Sequence, residues 1–282
     1  MIGAYEISLL TTIGIAVTFA LSLNLVTGFC GQISLGHAAF LGTGAYVAAM
    51  SVVAGAPFAV GLIAGGLVAA AVGAVVGLAS LRVRHDFLAI TTMGVGFLFV
   101  GFTRQQDWLG GEMGIAGIPE APFGKVGLMV VALGVAAATA AFSVYLKRTW
   151  MGFAFDAIAA DEDTARTVAI DVSRYKLAAF ALGTGIAGLA GGLYAFNIRF
   201  IAPDSFGFVE SVTVLAMVVI GGIGSVLWVT VAAAALAVLP QWFQAVDDYK
   251  LLLYGVLLFT VMRLSPGGLA GLVARLVRGV RQ

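Results

Sequence analysis

Residues 25–49 read LVTGFCGQISLGHAAFLGTGAYVAA, and the reading of this stretch decides the fold. It is apolar enough to lie in a bilayer, yet it sets Thr27, Gln32, Ser34, His37 and Thr43 among five glycines without one full charge. Hydrocarbon offers no water to polar groups, so polar or non-helical chain at that depth survives only where it is packed in protein or lines a wet path. A glycine-rich break bearing amides and hydroxyls inside an apolar run is therefore a candidate permeation path.

The composition around it agrees. Of 282 residues, 61% are hydrophobic and 10% charged, and the mean hydropathy is +1.06, where soluble chains carry about 25% charged residues. The chain reads as an all-α integral membrane protein. At about 20 residues per spanning helix, its length suits a polytopic bundle of about eight to ten transmembrane helices. One transmembrane domain over 1–282 fits better than two. The lone Cys30 excludes an internal disulfide, and His37 and His85 are too far apart in sequence to suggest a metal site. No Gly-x4-Gly-Lys-Ser/Thr loop occurs, so no ATP hydrolysis and no cofactor are expected of this chain itself. No basic run long enough to grip nucleic acid is present. Glu6, with no Lys or Arg before the first apolar run, argues for a retained first span rather than a cleaved signal peptide.

No charge occurs between Glu6 and Arg82, so the chain must fold back at glycine and proline. Spans are expected near 7–27, 33–53, 57–80, 87–103, 126–146 and 177–198. Two more share the run that ends at Val246 and breaks at Gly221, Gly222 and Gly224, and a last one lies near 251–263. Nine crossings place Arg82, Arg84, Lys147, Arg148, Arg166, Arg174, Lys176, Arg263, Arg275, Arg278 and Arg281 on one side. Only Arg104, Lys125, Arg199 and Lys250 fall on the other. The positive-inside rule then puts the C-terminus in the cytoplasm and the N-terminus outside. Loops 104–125 and 199–210 are extracytoplasmic on this count, and their mixed charges Arg104, Asp107, Glu112, Lys125, Arg199, Asp204 and Glu210 suit a weak, salt-sensitive partner.

Gly-interrupted spans are the best sequence pointer to a transporter's path, and this chain has two, Gly28–Gly36 and Gly221–Gly224. The expected path residues are Asn24, Gln32, Ser34, Gly36, His37, Thr91, Thr92, Gly221, Gly222 and Gly224. The competing readings are a packed imidazole at His37 and plain tight turns at both glycine clusters. The segment 147–176 is the cytoplasmic counterpart. Phe153, Phe155, Ile158, Ala165, Val168 and Ile170 give it an apolar side, Asp161 is placed to cap a short helix, and Ser173 is placed to cap the next span. Either the segment docks a partner, with Phe155, Ala157, Ile158, Asp161, Glu162 and Arg166 at the contact, or it packs on the inner rim of the bundle.

Ordered motifs then tie the chain to a family. Gly31 to Ala49 resembles the signature of the M-type membrane subunits of branched-chain amino-acid ABC importers. The likeness continues through Ala89–Gly94, Gly110–Pro119, Ala157–Glu162, Arg174–Lys176, Gly188–Ala195, Pro203–Phe206, Val219–Ser225 and Pro266–Leu272. It departs from the family's habit at Ala159, where arginine is common, and at Trp228, Val229 and Ala232. The resemblance implies a permease in a bacterial or archaeal cytoplasmic membrane. It also implies a paired H-type permease, two cytoplasmic ATP-binding subunits holding the ATP and Mg, and an extracytoplasmic solute-binding protein. The implied cargo is a branched-chain or related small amino acid, with urea, amides or other small organic solutes as the alternative. An ion-coupled secondary carrier is the different-class alternative, disfavoured because His37 is the one titratable candidate near a span.

Overall fold

The computed structural model describes residues 3–80, 85–242, 250–265 and 267–279. Arg82, Arg84, Arg281 and Pro266 lie outside the described residues, as do residues 243–249, which include the end of the run expected to reach Val246.

In a bilayer a single apolar segment satisfies its own backbone only as a helix, and the long apolar windows are helical. In order they are α1 (Ala4–Leu23), α2 (His37–Val53), α3 (Phe58–Ser80), α4 (His85–Gln105), α5 (Gly124–Lys147), α6 (Trp150–Ala160), α7 (Glu162–Thr167), α8 (Val172–Ile198), α9 (Phe208–Gly221) and α10 (Val226–Trp242). Two further helices cover Lys250–Leu264 and Gly268–Gly279. α1 runs on into a wider π-helical turn, Asn24–Phe29. Among the described residues, six helical stretches are long and apolar enough to cross a membrane, the last of them α9 together with the 3-10 turn Pro203–Phe206 before it, while α2, α10 and Lys250–Leu264 are shorter. The expected span 33–53 starts instead at His37, because residues 30–36 leave the helix.

The centre of the bundle is α8 against α2 and α3, and glycine makes that contact possible. A β-carbon at Gly188 would lie 2.7 Å from the Gly65 carbonyl oxygen, and one at Gly65 would lie 2.6 Å from that of Gly44. Lipid supplies no hydrophobic drive between helices, so small residues that let backbones touch supply the packing. α4 stands on the flank and leaves Phe97, Leu98 and Phe102 exposed.

The two ends of the bundle differ. At one end, β1 (Ile115–Ala116) pairs antiparallel with β2 (Phe200–Ile201), Ile115 facing Ile201. An Arg104–Asp204 ion pair and a hydrogen bond from Arg199 Nε to the Ile118 carbonyl, 3.2 Å, fasten the same two loops. The other end carries α6 and α7. There Phe155 and Ile158 are fully buried in a second core with Leu25, Phe29, Cys30, Leu146, Ala165, Val172 and Ala179. This corrects the expectation that Phe155 and Ile158 face a partner, since the π-helical turn, α5 and α8 already cover them; Phe153 and Val168, expected on the same apolar side, are exposed. Asp161 does cap α7, accepting from the Thr164 N–H at 2.7 Å. The cap of α8 is Asp171, accepting from Arg174 N, not Ser173. The difference is two residues of register: helix α8 begins at Val172.

Candidate functional site: two glycine breaks in contact

The break between α1 and α2 is held closed by its own hydrogen bonds. Gln32 N donates to the Val26 carbonyl at 3.1 Å, and the Thr27 hydroxyl donates to the Gln32 carbonyl at 3.0 Å. Gln32 Nε2 reaches the Lys176 carbonyl at 3.0 Å in the first turns of α8. The start of α2 is buried, and two hydroxyls from other helices cap it. Leu35 N donates to Thr92 Oγ1 of α4, and Ala38 N donates to Ser211 Oγ of α9, both at 3.0 Å. Gly36 sits directly on the α4 backbone: a β-carbon there would be 2.6 Å from the carbonyl carbon of Thr92. Thr91 is half-buried, and its hydroxyl donates within α4, to the Phe87 carbonyl.

His37 is fully enclosed. Its ring stacks on Phe19 and meets Phe40 edge-on, and Nε2 lies 2.9 Å from Ser22 Oγ. The Ser22 hydroxyl hydrogen is committed to the Phe19 carbonyl at 2.6 Å, so His37 must donate through Nε2, leaving the Nδ1 lone pair unpartnered. This is the packed-imidazole geometry with one polar atom left over. Ser22 did not stand out in the sequence; its position 15 residues before His37 gives no signal across a break.

The second break, between α9 and α10, touches the first. Gly224 N donates to Asn24 Oδ1 at 2.8 Å, and a β-carbon at Gly28 would lie 2.6 Å from Gly224 N. Lys147, at the end of α5, donates to the Gly224 carbonyl and sits 4.7 Å above the Phe29 ring. Gly221 packs on α10, 2.6 Å from the Val229 Cα by the same measure, whereas Gly222 packs on Gly267 and Ala270. The expected residues thus fall into three neighbouring contacts rather than one ring: Asn24 with Gly224, Gly36 with Thr92, and Gly222 with the start of Gly268–Gly279. Lys147 was missed as a member because, by sequence, it merely ends a span.

Polar atoms without a partner gather at the first break. Among the described residues, the buried unpartnered side-chain atoms are Asn24 Nδ2, Gln32 Oε1, Ser34 Oγ, His37 Nδ1, Tyr46 OH and Ser143 Oγ, and the first four lie between residues 24 and 37. Buried polar groups are nearly always paired with protein or ordered water, so such a concentration needs a cause. Beside it, a groove of about 340 Å³ opens between α2, α3 and α4, lined by Phe40, Thr43, Val72, Val95 and Phe99. No group of three or more His, Cys, Asp or Glu residues placed to hold a metal occurs among the described residues.

Residues 6–262 match the family described as the branched-chain amino acid transport system permease component. The chain is 32% identical over 300 residues to the high-affinity branched-chain amino acid transport system permease protein LivM of Salmonella typhimurium, covering 95% of this chain and 71% of that protein. It is 33% identical over 298 residues to the protein of the same name from Escherichia coli K12, covering 95% and 70%. No solved structure matches the chain significantly.

Proposed function

We infer the role of the chain from one premise: it belongs to the family of branched-chain amino acid transport permeases. As a multi-pass membrane permease it serves an ATP-driven importer, forming half of the path for a branched-chain or related small amino acid. An H-type permease supplies the other half, two ATP-binding subunits drive the cycle, and a solute-binding protein delivers the cargo. The N-terminus and the sheet end face outward, and α6 and α7 face the cytoplasm.

The observation that carries this reading is the group of unpartnered amide, hydroxyl and imidazole atoms at the break before α2. Neutral polar groups let a zwitterion pass without trapping it by charge, whereas tight capture is the task of a separate binding protein. On this reading the contacts of Gly28 with Gly224 and of Gly36 with Thr92 close the path, and opening withdraws α4 and the α9–α10 turn from the first break.

The test is ATP-dependent uptake by the complex reconstituted with its partner subunits, comparing leucine with urea and a simple amide, for the wild type and for Ser34→Ala, His37→Phe and Thr92→Val. Leucine uptake that falls in these variants while assembly and ATP hydrolysis persist is the expected result. Uptake of urea or amides in preference to leucine would replace the cargo, and uptake that follows an ion gradient after ATP depletion would replace the mechanism.

A further inference from the structure

The helix Gly268–Gly279 does not behave like the rest of the bundle. Leu269, Leu272, Val273 and Leu276 recur at helical spacing, with Arg275 and Arg278 off that stripe, and it is the most strongly two-sided helix described. One apolar and one basic side is the pattern of a helix that lies in a membrane surface. Its position agrees. Three residues separate it from Leu264, the end of the preceding span, and that turn is pinned by Gly268 N to the Ser265 carbonyl, 2.9 Å, and Ser265 Oγ to the Gly268 carbonyl, 3.0 Å. It therefore starts at the depth where hydrocarbon ends, and its 12 residues are too few to cross.

Among the described residues, protein holds the start of this helix. Gly268 is buried, whereas Leu272, one turn on, is 37% exposed on the apolar side. The buried start rests on the second glycine break: a β-carbon at Gly268 would lie 2.7 Å from Gly222 Cα and 2.7 Å from the Val219 carbonyl oxygen. We propose that Gly268–Gly279 lies on the cytoplasmic leaflet, with Leu269 against the bundle core, Leu272 at the acyl–headgroup boundary and the basic side of the helix towards anionic phospholipid headgroups, so that lipid charge bears on the Gly222–Gly224 turn. Basic charge beside exposed leucine at interfacial depth suits an anionic leaflet. The choice of leaflet rests on the proposed orientation; the lipid contact does not.

The test uses the complete transporter in nanodiscs, with Leu272→Cys carrying an environment-sensitive fluorophore; Cys30 is fully buried and does not compete. With anionic phospholipid in the bilayer, shallowly brominated lipids should quench the label. Arg275→Gln with Arg278→Gln should weaken that association by about fivefold per charge removed. In parallel, ATP hydrolysis by the unlabelled complex should depend on the anionic-lipid fraction, and the double variant should flatten that dependence. A label that is never quenched, quenching indifferent to anionic lipid, or quenching abolished by adding the ATP-binding subunits would each overturn the proposal, the last by showing that the helix docks on protein. An impermeant thiol reagent that reaches the unlabelled Leu272→Cys variant from outside in sealed right-side-out vesicles would overturn the orientation alone.

Discussion

Asn24 connects the two glycine breaks through one atom, and its two side-chain ends differ: Oδ1 accepts from Gly224 N while Nδ2 has no partner. Asn24→Leu keeps the bulk and removes the acceptor, leaving the Gly224 N–H without its bond, at a cost of about 1–3 kcal/mol. A lowered melting temperature of the purified complex checks this, and an unchanged one would mean that the breaks hold together without Asn24. Glycines separate in the same assay. Gly36→Ala puts a β-carbon against the α4 backbone at Thr92, where no flexible side chain can yield, and should destabilise by about 1–3 kcal/mol. A β-carbon at Gly94 or Gly101 meets nothing within 4 Å, so alanine there should be close to neutral. The sequence marks Asn24, Gly36 and Thr92 as unusual for a membrane run, but not that Gly36 is a seat for α4. A one-dimensional pattern records which residue is small, not which backbone approaches it.

At the scale of elements, α6 and α7 divide into a face that holds the segment and a face that is free to meet something. Phe155→Ala empties a fully buried site and should cost about 3–5 kcal/mol, whereas Phe153→Ala removes a ring that is 61% exposed and should change stability by no more than about 0.5 kcal/mol. Glu162 pairs with the buried Lys176, so Glu162→Lys is expected to damage the fold rather than report on coupling. Asp156 and Arg166 are exposed, and their charge reversal is the cleaner probe: ATP hydrolysis should persist while uptake falls. The α7 cap gives a pH signature. The Thr164 backbone N–H beside Asp161 holds its carboxyl below the usual carboxylate range, so its contribution is full at neutral pH and is lost as the pH falls through that lowered value. Hydrogen exchange should show α7 fraying in acid. Asp161→Asn should keep the helix and lose the pH step, and Asp161→Ala should fray at every pH. The apolar side of 147–176 and the Asp161 cap were legible because both are local patterns. What covers that side was not, since a hydrophobic stripe asks for burial without naming the neighbour.

At the scale of the molecule, the bundle has a sheet end and an α6 end, both with charges of both signs, but Lys and Arg are the more numerous at the latter. Lys147, Arg148, Arg166, Arg174 and Lys176 lie at the latter, against Arg104, Lys125 and Arg199 at the former. A single crossing by α5, which joins the two ends, would set them on opposite sides of the membrane, so one measurement of sidedness fixes both. Met113 at the sheet end is 86% exposed and Val168, just after α7, is 65% exposed. Cysteines at these positions should react with an impermeant thiol reagent from opposite sides, Met113→Cys in intact cells and Val168→Cys only in inverted vesicles, as the excess of Lys and Arg requires. β1 with β2, Arg104 with Asp204 and Arg199 with Ile118 bind two loops into one platform, which on the proposed orientation would seat a delivering protein more firmly than two separate loops. If Val168→Cys reacted from outside and Met113→Cys did not, the platform would face the cytoplasm and α6 and α7 the exterior. Both docking assignments would then fall together, while the contact between the two glycine breaks would stand.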